Sequence, residues 1–193
     1  MFFLTEPSAD TVTSFINAQH GLPFSYQAVG ATNGSAPEGY VVDHNRTQIG
    51  TGAAIYKLAK DALNEWKQFD LGWVSIVPAG VQLKTGATVA VKAYTFGAWS
   101  LNAARVVYVI NEAGPTETFG FAYGTLPDHV ETGEERFKVE WNLEDDSVWY
   151  DILAFSRPHH TLVKLAAPLA RQLQKRFARE SMRRIVELTS GAR

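Results

Sequence analysis

The sequence of 193 residues contains no cysteine. Disulfide bonds, thiolate catalysis and cysteine-ligated zinc or iron–sulfur sites are therefore excluded. No apolar run approaches the ~18 residues that a membrane-spanning helix requires. The N-terminal segment, Met1-Phe2-Phe3-Leu4-Thr5-Glu6-Pro7, turns acidic and breaks before a secretory apolar core can form. These absences predict a soluble, cytoplasmic protein.

Motifs for common cofactors and for nucleic acid are also missing. Gly50-Thr51-Gly52 precedes a helical pattern, but Ile55 occupies the third glycine position of a dinucleotide-binding fingerprint. No histidine or carboxylate spacing matches a metal site. The basic residues near the C-terminus lack the interleaved aromatic residues of a nucleic-acid platform. We therefore expect no metal, no cofactor and no nucleic-acid partner.

Charge is distributed unevenly along the chain. Residues 157–193 contain nine Lys or Arg residues and two acidic residues, whereas the rest contains nine basic and eighteen acidic residues. One interpretation is a basic helix that docks on an acidic sheet and keeps its charged side in water. The other is a helix that contacts an anionic partner, such as a membrane surface.

Hydrophobic periodicity predicts helices at three places. The first is short and is capped by Ser8 or Asp10, and the second begins at Thr51. The third is a long helix over residues 159–189, in which Pro168 removes a backbone hydrogen bond and is expected to cause a bend.

Runs rich in β-branched and aromatic residues predict the strands between these helices. They cover residues 39–49, 73–77, 88–96, 101–110, 118–125, 134–141 and 148–155. Short turns join most of them, which indicates an antiparallel meander. We expect one α+β domain over residues 1–193, with a curved antiparallel sheet of about seven strands that grips the long C-terminal helix. Residues 1–38 are expected to form an N-terminal helix and a lead-in segment.

Several blocks of the chain are similar to a known family. They are Leu22-Pro23-Phe24-Ser25-Tyr26, Val29-Gly30-Ala31-Thr32, Phe69-Asp70-Leu71-Gly72-Trp73, Phe121-Ala122-Tyr123-Gly124-Thr125-Leu126-Pro127-Asp128-His129, Gly133-Glu134-Glu135-Arg136-Phe137, Trp149-Tyr150-Asp151-Ile152 and Phe155-Ser156-Arg157-Pro158. Over residues 20–185 the chain resembles the family called domain of unknown function 1990. Its element order resembles the helix-grip fold of the START and birch-pollen-allergen (SRPBCC) superfamily. Gln27 and Asp128 depart from the family pattern, where proline and glycine are expected.

The resemblance implies a fold more than a function, because the family carries no established activity to transfer. The superfamily implies a hydrophobic cavity between the sheet and the long helix. Different members use this cavity for binding, transport or catalysis.

Strand alternation identifies a candidate carboxylate. If Phe137, Val139 and Trp141 face the cavity, Glu135 shares their face, while Glu134 faces solvent. A carboxylate on an apolar face has a raised pKa or requires a partner, and this is how a general base is produced. The alternative is that Glu135 lies hydrated and inert at the end of its strand.

Lone charges occur in two other apolar strands, at Asp151 and Arg105. They are expected to form a structural ion pair with each other, since an unpaired buried charge is costly. Alternatively, Arg105 anchors the carboxylate or phosphate of a ligand. Tyr123 shares the parity of Phe119 and Phe121, so its hydroxyl either packs in the core or hydrogen-bonds a ligand.

We predict that the cavity binds a small hydrophobic or amphipathic molecule. Its predicted ligand-binding residues are Arg105, Phe121, Tyr123, Glu135, Phe137 and Trp141. An enzyme of the hydrolase, cyclase or isomerase type is the alternative, and its candidate catalytic residues are His129, Glu135 and Asp151. A further alternative is an interaction protein whose basic C-terminal helix contacts an anionic membrane or partner.

Overall fold

The computed structural model describes residues 1–158 and 167–190 and has the predicted α+β architecture. Its helices are α1 (Ala9–Gln19), α2 (Gly52–Asn64) and α3 (Ala167–Ser190). Its strands are β1 (Phe2–Phe3), β2 (Val41–Thr51), β3 (Val74–Val77), β4 (Thr88–Thr95), β5 (Ala98–Glu112), β6 (Thr116–Thr125), β7 (Glu131–Asn142) and β8 (Ser147–Pro158). Short 3₁₀ helices span Ala31–Asn33 and Lys67–Phe69.

All strand pairs are antiparallel, and the order across the sheet is β2-β8-β7-β6-β5-β4-β3. The two-residue strand β1 pairs with β5 outside this path. The sheet thus has seven neighbouring strands in one path and a long helix across one face, which confirms the predicted fold class. The first part of the predicted C-terminal helix, residues 159–166, lies outside the described residues. The predicted bend at Pro168 also involves backbone before Ala167 that lies outside the described residues.

The first helix covers one face of the sheet. The Ser8 hydroxyl accepts a hydrogen bond from the Thr11 N–H at 3.2 Å, which satisfies a donor at the start of α1. Val12 and Phe15 are buried in a small apolar cluster with residues of β4 and β5. The lead-in segment between α1 and β2 continues over this face.

The other two helices cover the opposite face, where the main core lies. Helix α2 buries the stripe Ile55, Tyr56, Ala59, Ala62 and Leu63 against the sheet. Helix α3 behaves differently along its length. Its second half packs on the core through the fully buried Ser181 and Ile185, and the Ser181 Oγ lies 2.9 Å from the Tyr150 hydroxyl. Its first half covers open space rather than core.

Polar contacts hold the first half of α3 over the sheet. Arg171 forms an ion pair with Asp43 of β2, and the Trp73 indole N–H donates to Glu180 at 2.6 Å. These contacts position α3 on both sides of the space that it covers. In residues 1–158 and 167–190, no helix is both long and apolar enough to cross a membrane.

Candidate functional site

A cavity of about 650 Å³ lies between the sheet and the first half of α3. This volume is within the roughly 300–1,000 Å³ typical of small-molecule pockets. Apolar side chains from the sheet, from the Lys67–Phe69 turn and from α3 form much of its wall. They include Phe69, Trp73, Val74, Val91, Ala93, Ile152, Leu173, Phe177, Ala178 and Met182.

One row of residues runs across the sheet at the wall of the cavity. Tyr123 of β6 lies opposite Glu135 of β7, which lies opposite Ala154 of β8, which lies opposite Asp43 of β2. The Tyr123 hydroxyl donates a 2.6 Å hydrogen bond to Oε2 of Glu135. Because directly opposed residues share a face, the strand register alone brings this hydroxyl and carboxylate together.

A second carboxylate lies nearby on the same strand. Glu131 accepts a hydrogen bond from the amide of Gln174 on α3, and the same amide contacts Ser156 Oγ at 2.9 Å. Gly133 stands between the two glutamates, and a Cβ there would lie 1.9 Å from the carbonyl oxygen of Phe155. Any other residue at this position would therefore force β7 and β8 apart. Because glycine has no side chain, no side-chain atom of Gly133 lies between the two carboxylates.

Burial controls the electrostatics of this end of the cavity. It raises the pKa of Glu135 to about 7, although the hydrogen bond from Tyr123 lowers it, and the charge of Glu131 raises it further. Burial also raises the pKa of Glu131 against the hydrogen bonds from Ser156 and Gln174. The pKa of Tyr123 is raised well above its ordinary value by burial, so its hydroxyl remains a donor. Glu135 can thus exchange a proton near neutral pH.

His129 also lines the cavity, in the turn after β6. Its Nδ1 lies 3.0 Å from the backbone N–H of Glu131, which donates to it. Glu134 of β7 points to the other face of the sheet, where it accepts a hydrogen bond from Tyr26. In the described part of the chain, no group of three or more His, Asp or Glu side chains is placed to hold a metal ion.

Comparison with known proteins agrees with this architecture. The model of the family described as domain of unknown function (DUF1990) matches residues 25–184. The chain belongs to this family. Its recognition from the sequence blocks over residues 20–185 is confirmed.

The DUF1990 chain also has full-length relatives. It is 33% identical over 206 residues to a UPF0548 protein of Dictyostelium discoideum, which covers 97% of this chain and 95% of the relative. It is 33% identical over 199 residues to a UPF0548 protein of Deinococcus radiodurans, with 96% and 98% covered.

Solved structures show the fold of the DUF1990 protein. Ara h 8.0201 superposes with a TM-score of 0.52 at 15% identity, over 79% of this chain and 99% of that protein. A hypothetical protein from Helicobacter pylori gives a TM-score of 0.53 at 12% identity, over 80% and 90%. At this identity the likeness shows the fold alone, and that fold is the helix grip.

Arg105 lies away from the cavity of this DUF1990 protein. Its guanidinium donates to the carbonyl oxygen of Leu22 at 2.8 Å and to that of Gln19 at 3.1 Å, and it lies over the ring of Phe24. The prediction that it anchors a ligand in the cavity is wrong, because these contacts direct it to the lead-in segment on the other face.

The predicted ion pair between Arg105 and Asp151 is also wrong. Asp151 is 3% exposed and pairs with Arg136 at 2.9 Å and with His44 at 2.6 Å. Burial raises its pKa, but the hydrogen bonds from His44 and Arg136 outweigh burial and leave the pKa lowered. Asp151 is therefore a structural anion and not a base in the cavity, since Ile152 and Ala154 of the same strand line the cavity and Asp151, adjacent to Ile152, points to the opposite face.

Three predicted ligand-binding aromatic residues do not line the cavity. Phe121 and Phe137 are fully buried with ring centroids 5.4 Å apart, and Phe69 packs on Phe137 at 5.3 Å. Trp141 lies near the end of β7, where its indole N–H donates to Asp146 at 2.8 Å. Phe121 and Phe137 lie behind the wall, and of the predicted ligand-binding set only Tyr123 and Glu135 line it.

A cluster of hydrogen bonds around Glu134 on the outer face was not predicted from the sequence. Glu134, predicted to face solvent, is 2% exposed. It accepts hydrogen bonds from the Tyr26 hydroxyl at 2.6 Å, from the Gly30 N–H at 2.7 Å and from the Thr32 N–H at 3.0 Å. The lead-in segment covers this carboxylate, so the consecutive residues Glu134 and Glu135 of β7 place one carboxylate on each face of the sheet.

Proposed function

We propose that the cavity binds a small hydrophobic or amphipathic molecule without transforming it. The observation that carries the proposal is the space of about 650 Å³ between an apolar wall and a few converging polar groups. Ligand pockets have this composition, since apolar surface supplies affinity and a few polar groups fix orientation. A folded core leaves few voids larger than a water molecule, so unfilled space of this size favours an occupant.

Native mass spectrometry of the purified protein, followed by extraction, tests this proposal directly. We expect a stoichiometric apolar adduct, or tight uptake of the neutral dye N-phenyl-1-naphthylamine by protein that carries none. Ala154 lies in the cavity wall beside Glu135. The variant Ala154→Phe places a ring in the cavity and should weaken dye binding by about tenfold or more, as expected from the loss of a well-packed apolar contact.

The matched control is Ala113→Phe, which adds the same ring at an exposed turn. It should leave dye binding unchanged. Equal binding by wild type and Ala154→Phe would contradict the proposal, as would the absence of both adduct and dye binding.

Catalysis in the same cavity is a second candidate function, and one observation favours it. Glu135 has a pKa of about 7 and a hydroxyl neighbour in Tyr123. A carboxylate with a pKa near neutrality is suited to general acid–base chemistry of the hydrolase, cyclase or isomerase type. A mass change in the extracted molecule on incubation with fresh protein, lost in Glu135→Gln, would favour the enzyme. Unchanged mass together with retained binding favours the binding protein.

The basic surface of α3 has less support as a function. Arg176 pairs with Glu180 at 2.8 Å, Arg183 with Glu187 at 3.4 Å, and Arg184 with Asp70 at 2.9 Å. These acidic partners neutralise most of the charge that an anionic membrane would attract.

A further inference from the structure

We infer that the cavity selects amphipathic molecules whose polar end is a protonated amine, and that Glu135 and Glu131 receive this ammonium group. The inference rests on the ligand binding proposed above and names the chemistry of the ligand. It follows from the arrangement of charge around the two carboxylates.

The two carboxylates lie in a cavity whose wall is mostly apolar. Both lie on the same strand and line the same cavity, with only a glycine between them along that face. The Tyr123 hydroxyl holds one oxygen of Glu135 at 2.6 Å, and the Gln174 amide contacts one oxygen of Glu131. Each carboxylate therefore has a fixed position and retains acceptor capacity for a further donor.

No cation of the protein neutralises them within the part of the chain that the structure describes. Tyr123 and Tyr150 are the titrating neighbours of Glu135 on β6 and β8, and both are neutral because burial raises their pKa. The charged neighbour of Glu135 is Glu131 of the same strand, which is itself an acid. The surroundings of Glu135 thus contain donors and a second acid, but no Lys or Arg partner.

Other charged groups of the cavity wall, among the described residues, have contacts of their own or lie toward solvent. Asp43 of β2 is occupied by its ion pair with Arg171 of α3. His129 contacts the backbone of Glu131. Lys175 and Arg179 of α3 reach the cavity wall but are exposed to solvent.

An ammonium group fits this arrangement for a physical reason. Two neighbouring carboxylates in an apolar space disfavour each other's ionisation, and a buried anion is costly unless it is paired. An ammonium carries three donors and a positive charge, so it can donate to the remaining acceptor sites of Glu135 while its charge relieves the repulsion from Glu131. A carboxylate head group would meet like charges, and an alcohol would supply hydrogen bonds without the charge.

Proton linkage adds a signature to this mode of binding. Ammonium binding requires ionised Glu135, and burial raises the pKa of Glu135 to about 7. Between pH 6 and pH 8 the ionised fraction of a group with this pKa rises by about tenfold, and the affinity for the ammonium should follow. The affinity for an uncharged alcohol should change little over the same range.

Isothermal titration calorimetry with three probes of equal chain length tests the inference. At pH 8 we expect decylammonium to bind about tenfold or more tightly than decanol, and decanoate to bind more weakly than decanol, as charge-assisted hydrogen bonds imply. Glu135→Gln should remove most of the preference for decylammonium while it leaves decanol binding within about twofold, since the change is isosteric.

Two further variants complete the design. Glu131→Gln should reduce the ammonium preference independently, so the inference can be tested even if Glu135→Gln does not fold. Glu112→Gln makes the same change at an exposed end of β5 and should bind all three probes as the wild type does.

The outcomes separate this inference from the proposal on which it rests. Equal affinity for the three probes, or a preference for decanoate, overturns the ammonium inference while ligand binding stands. If the protein binds neither the three probes nor the neutral dye, both the ammonium inference and the proposed ligand binding are overturned. An ammonium preference that persists in both glutamine variants also overturns the inference, since another group must then receive the amine.

Discussion

The Tyr26 hydroxyl donates a 2.6 Å hydrogen bond to the Glu134 carboxylate, although 108 residues separate the two in the chain. Glu134 is buried on the face of β7 opposite the cavity, and the lead-in segment supplies its other donors, which are the Gly30 and Thr32 N–H groups and the Thr32 hydroxyl. This carboxylate attaches the lead-in segment to the back of the strand that carries Glu135. The first two predictions concern this attachment.

Tyr26→Phe is expected to destabilise the protein by about 1–3 kcal/mol, because a buried carboxylate loses one of its donors. The phenyl ring retains the edge contact with Phe155, whose ring centroid lies 5.7 Å away. Urea unfolding measures the change. Tyr94→Phe, at an exposed position, should change stability by less than about 0.5 kcal/mol. Equal effects of the two variants would contradict a stabilising role for the hydrogen bond.

Gly124→Ala is expected to displace Tyr26 from Glu134. A Cβ at this position would lie 2.1 Å from the Tyr26 hydroxyl oxygen, so the ring has to move. The loss of stability should be much smaller when Tyr26 is already alanine, since the clash is then absent. A double-mutant cycle measures this coupling, which should be about 1 kcal/mol or more. Additive effects would show that the glycine is required for another reason.

The stability of the protein should depend on the ionisation of Glu135. Its folded-state pKa of about 7 is above the ordinary value of 4.5. Below the ordinary value the carboxyl is protonated in both states. As the pH rises through the interval up to about 7, the unfolded state ionises first and stability is lost.

Glu135→Gln removes this loss because an amide does not ionise. The variant should match the wild type in stability at low pH and exceed it by up to about 3 kcal/mol above neutral pH. Urea unfolding of both proteins across this pH range is the measurement. Glu112→Gln serves as control and should show a constant difference. A Glu135→Gln difference that is independent of pH would be inconsistent with a raised pKa.

Gln68 offers a test of a buried polar group. Its side chain is fully buried, and neither its amide nitrogen nor its oxygen has a hydrogen-bond partner among the described residues. Gln68→Met keeps the approximate shape and removes the unsatisfied amide, so we expect a gain of about 1–2 kcal/mol. Gln172→Met, on the exposed side of α3, should gain nothing. A loss of stability in Gln68→Met would mean that the amide is satisfied in solution.

Local pattern was sufficient for much of the fold. The N-cap at Ser8 and the three- and four-residue apolar spacing of α2 depend on neighbours within two turns, so sequence alone identifies them. Alternation along β7 likewise places Glu135 on the face that α3 covers, because the direction of a side chain in a strand is a local property.

Contacts between distant segments were not predictable in the same way. Alternation also assigned Glu134 to solvent, but nothing within β7 indicates that the segment around Gly30 returns to cover it. The partners of Arg105 and Asp151 were predicted wrongly for the same reason. A lone charge in an apolar strand indicates that a partner is needed, but it does not indicate which residue is the partner. The aromatic residues Phe121 and Phe137 share the correct face, but Trp66 and Phe69 pack on their rings, and neither strand indicates that these partners cover them.

The order of the strands also constrains when the ligand site can be built. β2 pairs with β8, so Asp43 and Ala154 are adjacent in the cavity wall although they are more than 100 residues apart in the chain. Pairing of such distant segments is slow, because a long loop must close before the contact forms. During synthesis, β2 leaves the ribosome before β8 and α3 and remains unpaired until these later segments have been synthesised. The cavity is therefore complete only after β8 and α3 have packed on β2, so the ligand binding that we propose would report chains that have completed folding.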